Sequence, residues 1–392
     1  MRKEKSINEG YSDNNKIKLV PGGRTYFDQL IRVISMAEYS IQFQVYIFED
    51  DETGHEVKTA LLKAAGRKVQ IFLMADGYAS QNLSKAFIQD LKEAGIHFRY
   101  FEPLFKNRHA YFGRRLHHKI IVVDERYAML GGINISNHYN DMPGQPAWMD
   151  FAVSIEGNMS KQLSAVCQKI WYGLTQAKKV ILKKADNLTY DIPSSENALL
   201  RLRRNDWVNK KNQIFKSYIE MFGKAKDEII IMSGYFLPGH IMRKNMAKAV
   251  KRGVKVKLIL AGISDVMLAK HAERYMYNWV FKNNIELYEY KLSILHGKVS
   301  VYDCKWVTIG SFNVNDISAF ASIELNMDVS NTDFATLTRN TLQQIIEKDC
   351  TQMSKEKYNV ETNIFSRFFD HCCYLLIRFL FFLFTFNFKQ KI

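Results

Sequence analysis

Two stretches of this chain, LHHKIIVVDERYAMLGGIN at 116–134 and LHGKVSVYDCKWVTIGSFN at 295–313, carry the same polar residues in the same order. The first reads His117-x-Lys119-x4-Asp124-x6-Gly131-Gly132-x-Asn134. The second reads His296-x-Lys298-x4-Asp303-x6-Gly310-Ser311-x-Asn313, and every corresponding pair lies 179 residues apart. A lone histidine-x-lysine carries no information. Two full copies at a fixed offset oblige the chain to contain two similar units, and this restricts the fold more than any other feature.

The segments before each copy repeat as well. In the first half, YSIQFQVYIF (39–48), KVQIFLMAD (68–76) and IHFRYF (96–101) read as strands. GHEVKTALLKAAG (54–66) and SQNLSKAFIQDLKEAG (80–95) read as helices, the second ending at a glycine cap. In the second half the same order recurs, with strands at 227–238, 254–262 and 285–290 and helices at 243–253 and 269–284. Alternating strands and helices imply an α/β protein, its sheets covered by helices. The expected organisation is a polar N-terminal segment (1–18), a first α/β/α unit (19–177), a basic linker (178–212), a second unit (213–350) related to the first by a pseudo-twofold, and a C-terminal segment (351–392). The sheets are expected to be mixed, with the active site at the interface of the units. The basic run, from Lys178 to Lys216 and including Lys179, Lys183, Lys184, Arg201, Arg203, Arg204, Lys210 and Lys211, reads as solvated linker and helix face.

A formal charge of +15 favours anionic partners, either nucleic acid or an acidic membrane surface. The five cysteines are odd in number and show no zinc spacing, so reduced thiols are expected. The N-terminus is charged and shows no secretory apolar core. The C-terminus contrasts with it. From Cys372 to Phe388 it is nearly all apolar, interrupted by Arg378 and followed by Lys389 and Lys391. As a helix it would reach about 25 Å, short of a hydrocarbon core of about 30 Å. A buried soluble helix is one reading; the reading preferred is a membrane-attached tail, interfacial or barely spanning.

The motif spacing has a physical sense. Alternate residues on a strand share a face, so His117 projects with Lys119 and His296 with Lys298. Lysines supply charge for a phosphate, and asparagine and serine supply neutral donors. Two facing histidines suit displacement at phosphorus, one attacking and one protonating the leaving group. Such histidines need orienting carboxylates, and Asp150 in WMDF and Glu324 in SIELNM lie in apolar, strand-like settings where an unpaired acid would be costly. Sequence proximity assigns Asp150 to His117 and Glu324 to His296.

The paired motifs resemble those of the phospholipase D superfamily over roughly residues 20–330. GGINISNHY with the following Trp-x-Asp, VYIFEDDETG and YFLP resemble the bacterial cardiolipin synthases in particular. The resemblance implies a metal-independent and cofactor-independent two-step transfer through a phosphohistidine. It implies moving a phosphatidyl group from one phosphatidylglycerol to another with release of glycerol, at the bacterial cytoplasmic membrane. Carried over, His117 becomes the nucleophile and His296 the acid and then base, an order that the pseudo-symmetry leaves open. Lys119, Lys298, Asn134 and Asn313 would hold phosphoryl oxygens, with Ser311 in support. Asp124 and Asp303 belong to the catalytic motif of the family, while their place at the hairpin turns favours a structural role. One departure concerns position 149, where the synthase pattern expects a basic residue and this chain has Met149.

Plainer readings apply to other residues. His118 points away from Lys119 and is a structural neighbour. His109, His138 and His271 are isolated. Cys304 is a small packed residue. Tyr46 and Tyr235, at matching repeat positions, either line the cleft or pack on strands. Gly22 and Gly23 form a turn. The competing functions are hydrolysis at the same site, by a phospholipase or a nuclease, and a non-catalytic membrane scaffold. The Phe-rich tail argues against nucleic acid, and two complete motifs argue against a scaffold.

Overall fold

The computed structural model describes residues 10–103, 115–173, 182–183, 190, 192–206, 209, 211–315 and 322–385. His109, Lys178, Lys179, Lys184, Lys210, Lys389 and Lys391 lie outside them, as do residues 1–9 of the polar N-terminal segment.

The first unit contains β1 (Asn15–Pro21), α1 (Arg24–Ser35), β2 (Ser40–Val45), α2 (Glu52–Gly66), β3 (Gln70–Asp76), α3 (Lys85–Glu93), β4 (His97–Phe101), a short β5 (Arg115–Leu116), β6 (Ile120–Val123), β7 (Tyr127–Gly131), β8 (Phe151–Gly157) and α4 (Asn158–Tyr172). The second contains β9 (Leu199–Asp206), β10 (Lys211–Asn212), α5 (Gln213–Lys224), β11 (Glu228–Ser233), α6 (His240–Lys251), β12 (Lys255–Ala261), α7 (Met267–Lys282), β13 (Glu286–Tyr290), β14 (Lys298–Tyr302), β15 (Trp306–Gly310), β16 (Ser322–Ser330), α8 (Thr332–Asp349) and β17 (Cys350–Gln352). Then come α9 (Lys355–Glu361) and α10 (Ile364–Thr385). Side chains start the helices where the sequence offers them: Asp51 accepts from Gly54 N and Ser84 from Phe87 N.

Each unit builds one mixed sheet. The first has the order β1-β8-β7-β6-β2-β3-β4, and the second β10-β9-β16-β15-β14-β11-β12-β13-β17. In both, the strands before the motif run parallel (β2-β3-β4, β11-β12-β13) and the motif hairpin joins them antiparallel. Strand alternation divides the hairpin between two cores. Ile121 and Val123 face α1 to α3, while Ile120 and Val122 enter a central cluster shared with Val299, Val301, Val307 and Ile309 of the other unit. Burying each such side chain contributes about 1.5–3 kcal/mol, so the inner faces of the two sheets hold the halves together.

One expectation is corrected here. Within the stretch read as a basic linker, Leu199–Asp206 is strand β9, paired with β16. Arg201 and Arg203 are not solvated charges; both bridge to Glu220 and to the buried Asp328. A wholly buried carboxylate needs such partners, which a reading of charge density does not reveal. The C-terminal tail is described as far as residue 385. Among the described residues no helix is long and apolar enough to cross a membrane. Helix α10 packs along α7, burying Asp370, Cys373, Tyr374 and Ile377 at helical spacing. His271 Nδ1 lies 2.7 Å from Asp370 Oδ1, and His371 stacks on Tyr275. The other face of α10 leaves Phe365, Phe368, Phe369, Leu375, Leu376 and Phe379 exposed.

Candidate active site

Both motifs begin at the C-terminal edge of the parallel strands, where open α/β sheets offer a crevice. Gln44 pairs with Ile120, and Ser233 with Lys298, so each histidine sits just beyond the end of its sheet's central strand. Each hairpin then turns through two residues of positive φ, Asp124 and Glu125 in one and Asp303 and Cys304 in the other. Asp124 accepts from the backbone N–H groups of Glu38, Tyr39 and Ser40, and Asp303 from those of Lys226, Asp227 and Glu228. These aspartates therefore tie the hairpin tip to the start of the central strand. Four residues of strand lie between each and its motif lysine, a span of about 16 Å. The catalytic place that the motif gives Asp124 and Asp303 is thus corrected to a structural one.

The carboxylates are also exchanged relative to expectation. His117 Nδ1 lies 2.9 Å from Glu324 Oε2, and His296 Nδ1 lies 2.6 Å from Asp150 Oδ2. The cause is main-chain register. Strand β5 leaves its own sheet and runs parallel to β16, with His117 N donating to Ile323 O at 3.0 Å. Likewise Met149 bridges Leu295, and its carbonyl accepts from His296 N and Gly297 N, each at 2.8 Å. Each histidine is thereby seated beside the carboxylate strand of the other half. Met149 contributes through its backbone, and its side chain packs against the central core.

Lysines complete the cleft. Lys119 Nζ donates to His117 O and lies 4.8 Å from the Tyr46 ring centroid. Lys298 Nζ donates to His296 O and lies 3.9 Å from Asp150 Oδ2. Tyr46 packs edge-on to the His117 ring, and Tyr235 donates to Asp265, so this matched pair lines the cleft. Burial sets the electrostatics. It lowers Lys119 to about 7 and Lys298 to about 8, and raises Asp150 to about 6. It lowers His117 against the pull of Glu324, and lowers His296 further, with Lys298, Lys119 and His117 adding to the effect. Desolvation thus holds the lysines back from protonation, and an anionic phosphate diester beside them would favour their charged forms.

The expected phosphate donors divide. Ser311 Oγ donates to Glu324 Oε2 and accepts from Leu325 N, so it steadies the carboxylate. Its counterpart Gly132 has no room for a side chain, because a Cβ there would lie 2.4 Å from Asp150 Oδ2. Asn134 spends its oxygen on Ile47 N (3.1 Å) and its amide on Tyr139 Oη (2.9 Å). The corrected place of Ser311 and Asn134 is one step behind the phosphate. Asn313 differs: its buried Oδ1, an acceptor, has no partner among the described residues, and its NH2 would be the group to meet a phosphoryl oxygen.

The remaining residues fall into place. His118 is fully buried, 3.3 Å from Gln44 Oε1, and burial lowers it to about 3. His138 stacks on Trp148. Gly22 N donates to Asp150 O and Gly23 has φ 70°, a turn into α1 whose first amide, Arg24 N, is taken by Asp141. Sequence reasoning missed Asp76, which ends β3 and accepts from Leu116 N, placing the residue before His117. The signal was an acid closing an apolar strand. It also missed Tyr139, whose hydroxyl lies 3.4 Å from His296 Nε2.

Two sheets of one topology, meeting where a histidine and a lysine from each face a carboxylate of the other, define a phospholipase D-like enzyme. The chain belongs to the cardiolipin synthase family of that class: the family model "Cardiolipin synthase, PLD-like domain" matches residues 30–164 and 218–346. It is 35% identical over 349 residues to cardiolipin synthase B of Salmonella typhimurium, covering 88% of this chain and 84% of the relative. It is 32% identical over 348 residues to cardiolipin synthase B of Escherichia coli, with the same coverage. Among solved structures, phosphatidylserine synthase of Haemophilus influenzae superposes with a TM-score of 0.70 over 93% of both chains at 14% identity, a likeness of fold. Family and relatives make the chain a phosphatidyltransferase of phospholipid synthesis.

Proposed function

We propose that the chain makes cardiolipin, transferring a phosphatidyl group from one phosphatidylglycerol to a hydroxyl of a second through a phosphohistidine. His117 Nε2 forms the N–P bond as the P–O bond to glycerol breaks, and His296 gives the departing oxygen its proton. In the return step the acceptor hydroxyl gives its proton to His296 and forms the new O–P bond as N–P breaks. Lys119, Lys298 and Asn313 hold the phosphoryl oxygens; Glu324 and Asp150 orient the rings; Ser311 and Asn134 support them. The observation that carries this reading is the crossed His117–Glu324 and His296–Asp150 pairing between two buried lysines. The enzyme would sit on the bacterial cytoplasmic membrane through the exposed Phe and Leu face of α10, lying in the interface rather than spanning.

Expression in cells lacking their own cardiolipin synthases, followed by lipid extraction, tests the reading. Cardiolipin is expected from the native chain and none from His117→Ala or His296→Ala. Phosphatidic acid in its place would mark a hydrolase. No lipid change, together with metal-independent DNA cleavage, would refute the synthase.

A further inference from the structure

A directed hydrogen-bond chain crosses the interface and ends on the ring of His296. Its polarity is fixed at the end away from the histidine. At one end the backbone N–H of Ile47 can only donate, so the group of Asn134 that meets it is the oxygen. The Asn134 NH2 therefore faces Tyr139 Oη at 2.9 Å, and the Tyr139 oxygen accepts. Its own proton is left for His296 Nε2 at 3.4 Å, a long contact easily given up. At the other end Nδ1 meets both the Asp150 carboxylate, at 2.6 Å, and the donor Lys298 Nζ, at 2.9 Å, so that end does not choose between the tautomers. The Asn134 end does: it calls for a neutral imidazole whose Nε2 lone pair accepts from Tyr139.

His117 lacks such a cap. Its Nδ1 meets Glu324, and Nε2 has no protein partner among the described residues. Its side chain is also more open, 14% exposed against 8% for His296. The repeat places Ser318 where the first copy has Tyr139, so the cap is a difference between the copies already written in the sequence.

From this asymmetry we infer that Tyr139 is a positioning residue which masks Nε2 of His296 in the empty site, leaving His117 as the ring open to attack. The inference rests on the phosphatidyl-transfer reading and adds the device that breaks its symmetry. When a phosphate diester enters, its charge offsets Lys119 and Lys298. His296 can then hold a second proton at Nε2, and Tyr139 turns its hydroxyl to accept from it. The groups facing His296 are Asp150 and Trp148 ahead of β8, Lys298 on β14, Lys119 and His117 ahead of β6, Asp265 after β12, and Tyr139 itself.

The test compares the full chain with Tyr139→Phe, which keeps the ring and removes the hydroxyl. Phosphatidylglycerol labelled in its phosphate is presented in mixed micelles, the reaction is quenched in alkaline denaturant, and the labelled peptide is mapped. The native chain is expected to carry label on His117, and the variant to divide it between His117 and His296. In parallel, ring-nitrogen NMR of histidine-labelled protein follows the titration of His296. A donor on Nε2 favours the neutral ring, so its loss should raise the midpoint by about 0.5–1 pH unit and leave His117 unmoved. Label on His296 in the native chain, label confined to His117 in the variant, or an unmoved His296 midpoint would each overturn the inference. The titration needs no turnover, so it decides the role of Tyr139 even where no covalent species forms. Label without cardiolipin would refute the synthase reading and leave that role standing.

Discussion

Asp150→Asn separates the crossed pairing from the pairing that sequence proximity suggests. Asp150 Oδ1 accepts from Phe151 N at 2.7 Å, which fixes the oxygen of an introduced amide at that position. The NH2 must then face His296 Nδ1 where Oδ2 stood, and a donor there reverses the ring's tautomer. His296 can no longer alternate between the doubly protonated ring that releases a proton at Nε2 and the neutral ring that takes one there, so both steps slow, by roughly 10⁴-fold on the analogy of a reversed triad histidine. Stability should change little. Burial raises the Asp150 carboxyl from 3.8 to about 6, so its charge destabilises the fold by about 3 kcal/mol above pH 6 and not at all below the unfolded value. The amide removes that cost and loses a charge-assisted hydrogen bond of about 1.5–3 kcal/mol. The two nearly cancel at pH 7.5. The assay is denaturant unfolding beside turnover and ring-nitrogen NMR of histidine-labelled protein. Intact stability, slow turnover and a proton moved to Nε2 on His296, with the His117 ring unchanged, are expected. If Asp150 served His117 instead, the tautomer change would appear at His117, and that result would refute the crossed arrangement.

Three further outcomes follow from the geometry. Replacing Asp124 by Ala strands three backbone donors and should cost about 2–4 kcal/mol in denaturant unfolding, with turnover per folded molecule within about threefold of native; a loss of 100-fold would restore the aspartate to catalysis. Changing Phe365, Phe368 and Phe379 together to Ser should leave the melting temperature within about 3 °C, because these rings are exposed, yet weaken binding to phosphatidylglycerol vesicles by at least about 100-fold; unaltered binding would move the anchor elsewhere. At pH 8, with Lys119 held near 7 and Lys298 near 8, entry of an anionic diester raises both, so binding should take up about one proton. Calorimetry in buffers of different ionisation enthalpy measures it, and zero uptake would contradict the lowered lysines.

What was legible followed from local pattern. The apolar runs that became β2 and β11 were bounded by turns, and their helices by glycines and capping residues, so chain order and sheet content could be read directly. The motif residues could be read because they recur. The exchange of carboxylates could not, since it is set by β5 against β16 and Met149 against Leu295, contacts joining residues 207 and 146 positions apart in the chain. Strand register across two sheets is decided by packing between them, and no local periodicity records it. Tyr139 was hidden for the same reason, its partner lying 157 residues away. The linker was misread because Arg201 and Arg203 look like surface charge until Asp328 is seen beneath them.

The exchange also explains why the repeat must be a repeat. A half containing His117, Lys119 and Asp150 has a histidine without its carboxylate and a carboxylate without its histidine. Each half needs the other to make even one competent ring, so closing the sheet interface and assembling the chemistry are the same event. The central cluster that joins Ile120 and Val122 to Val299 and Val301 is therefore part of the catalytic apparatus at one remove. Loosening it would move His117 relative to Glu324 and His296 relative to Asp150 together. Yet the fusion of two copies in one chain also lets them diverge. Gly132 against Ser311, Asp150 against Glu324 and Tyr139 against Ser318 are differences that a symmetric pair of identical chains could not hold. On the proposed reading one histidine attacks and the other handles protons, and this chain carries an unlikeness in the residues around each ring that could bias which does which.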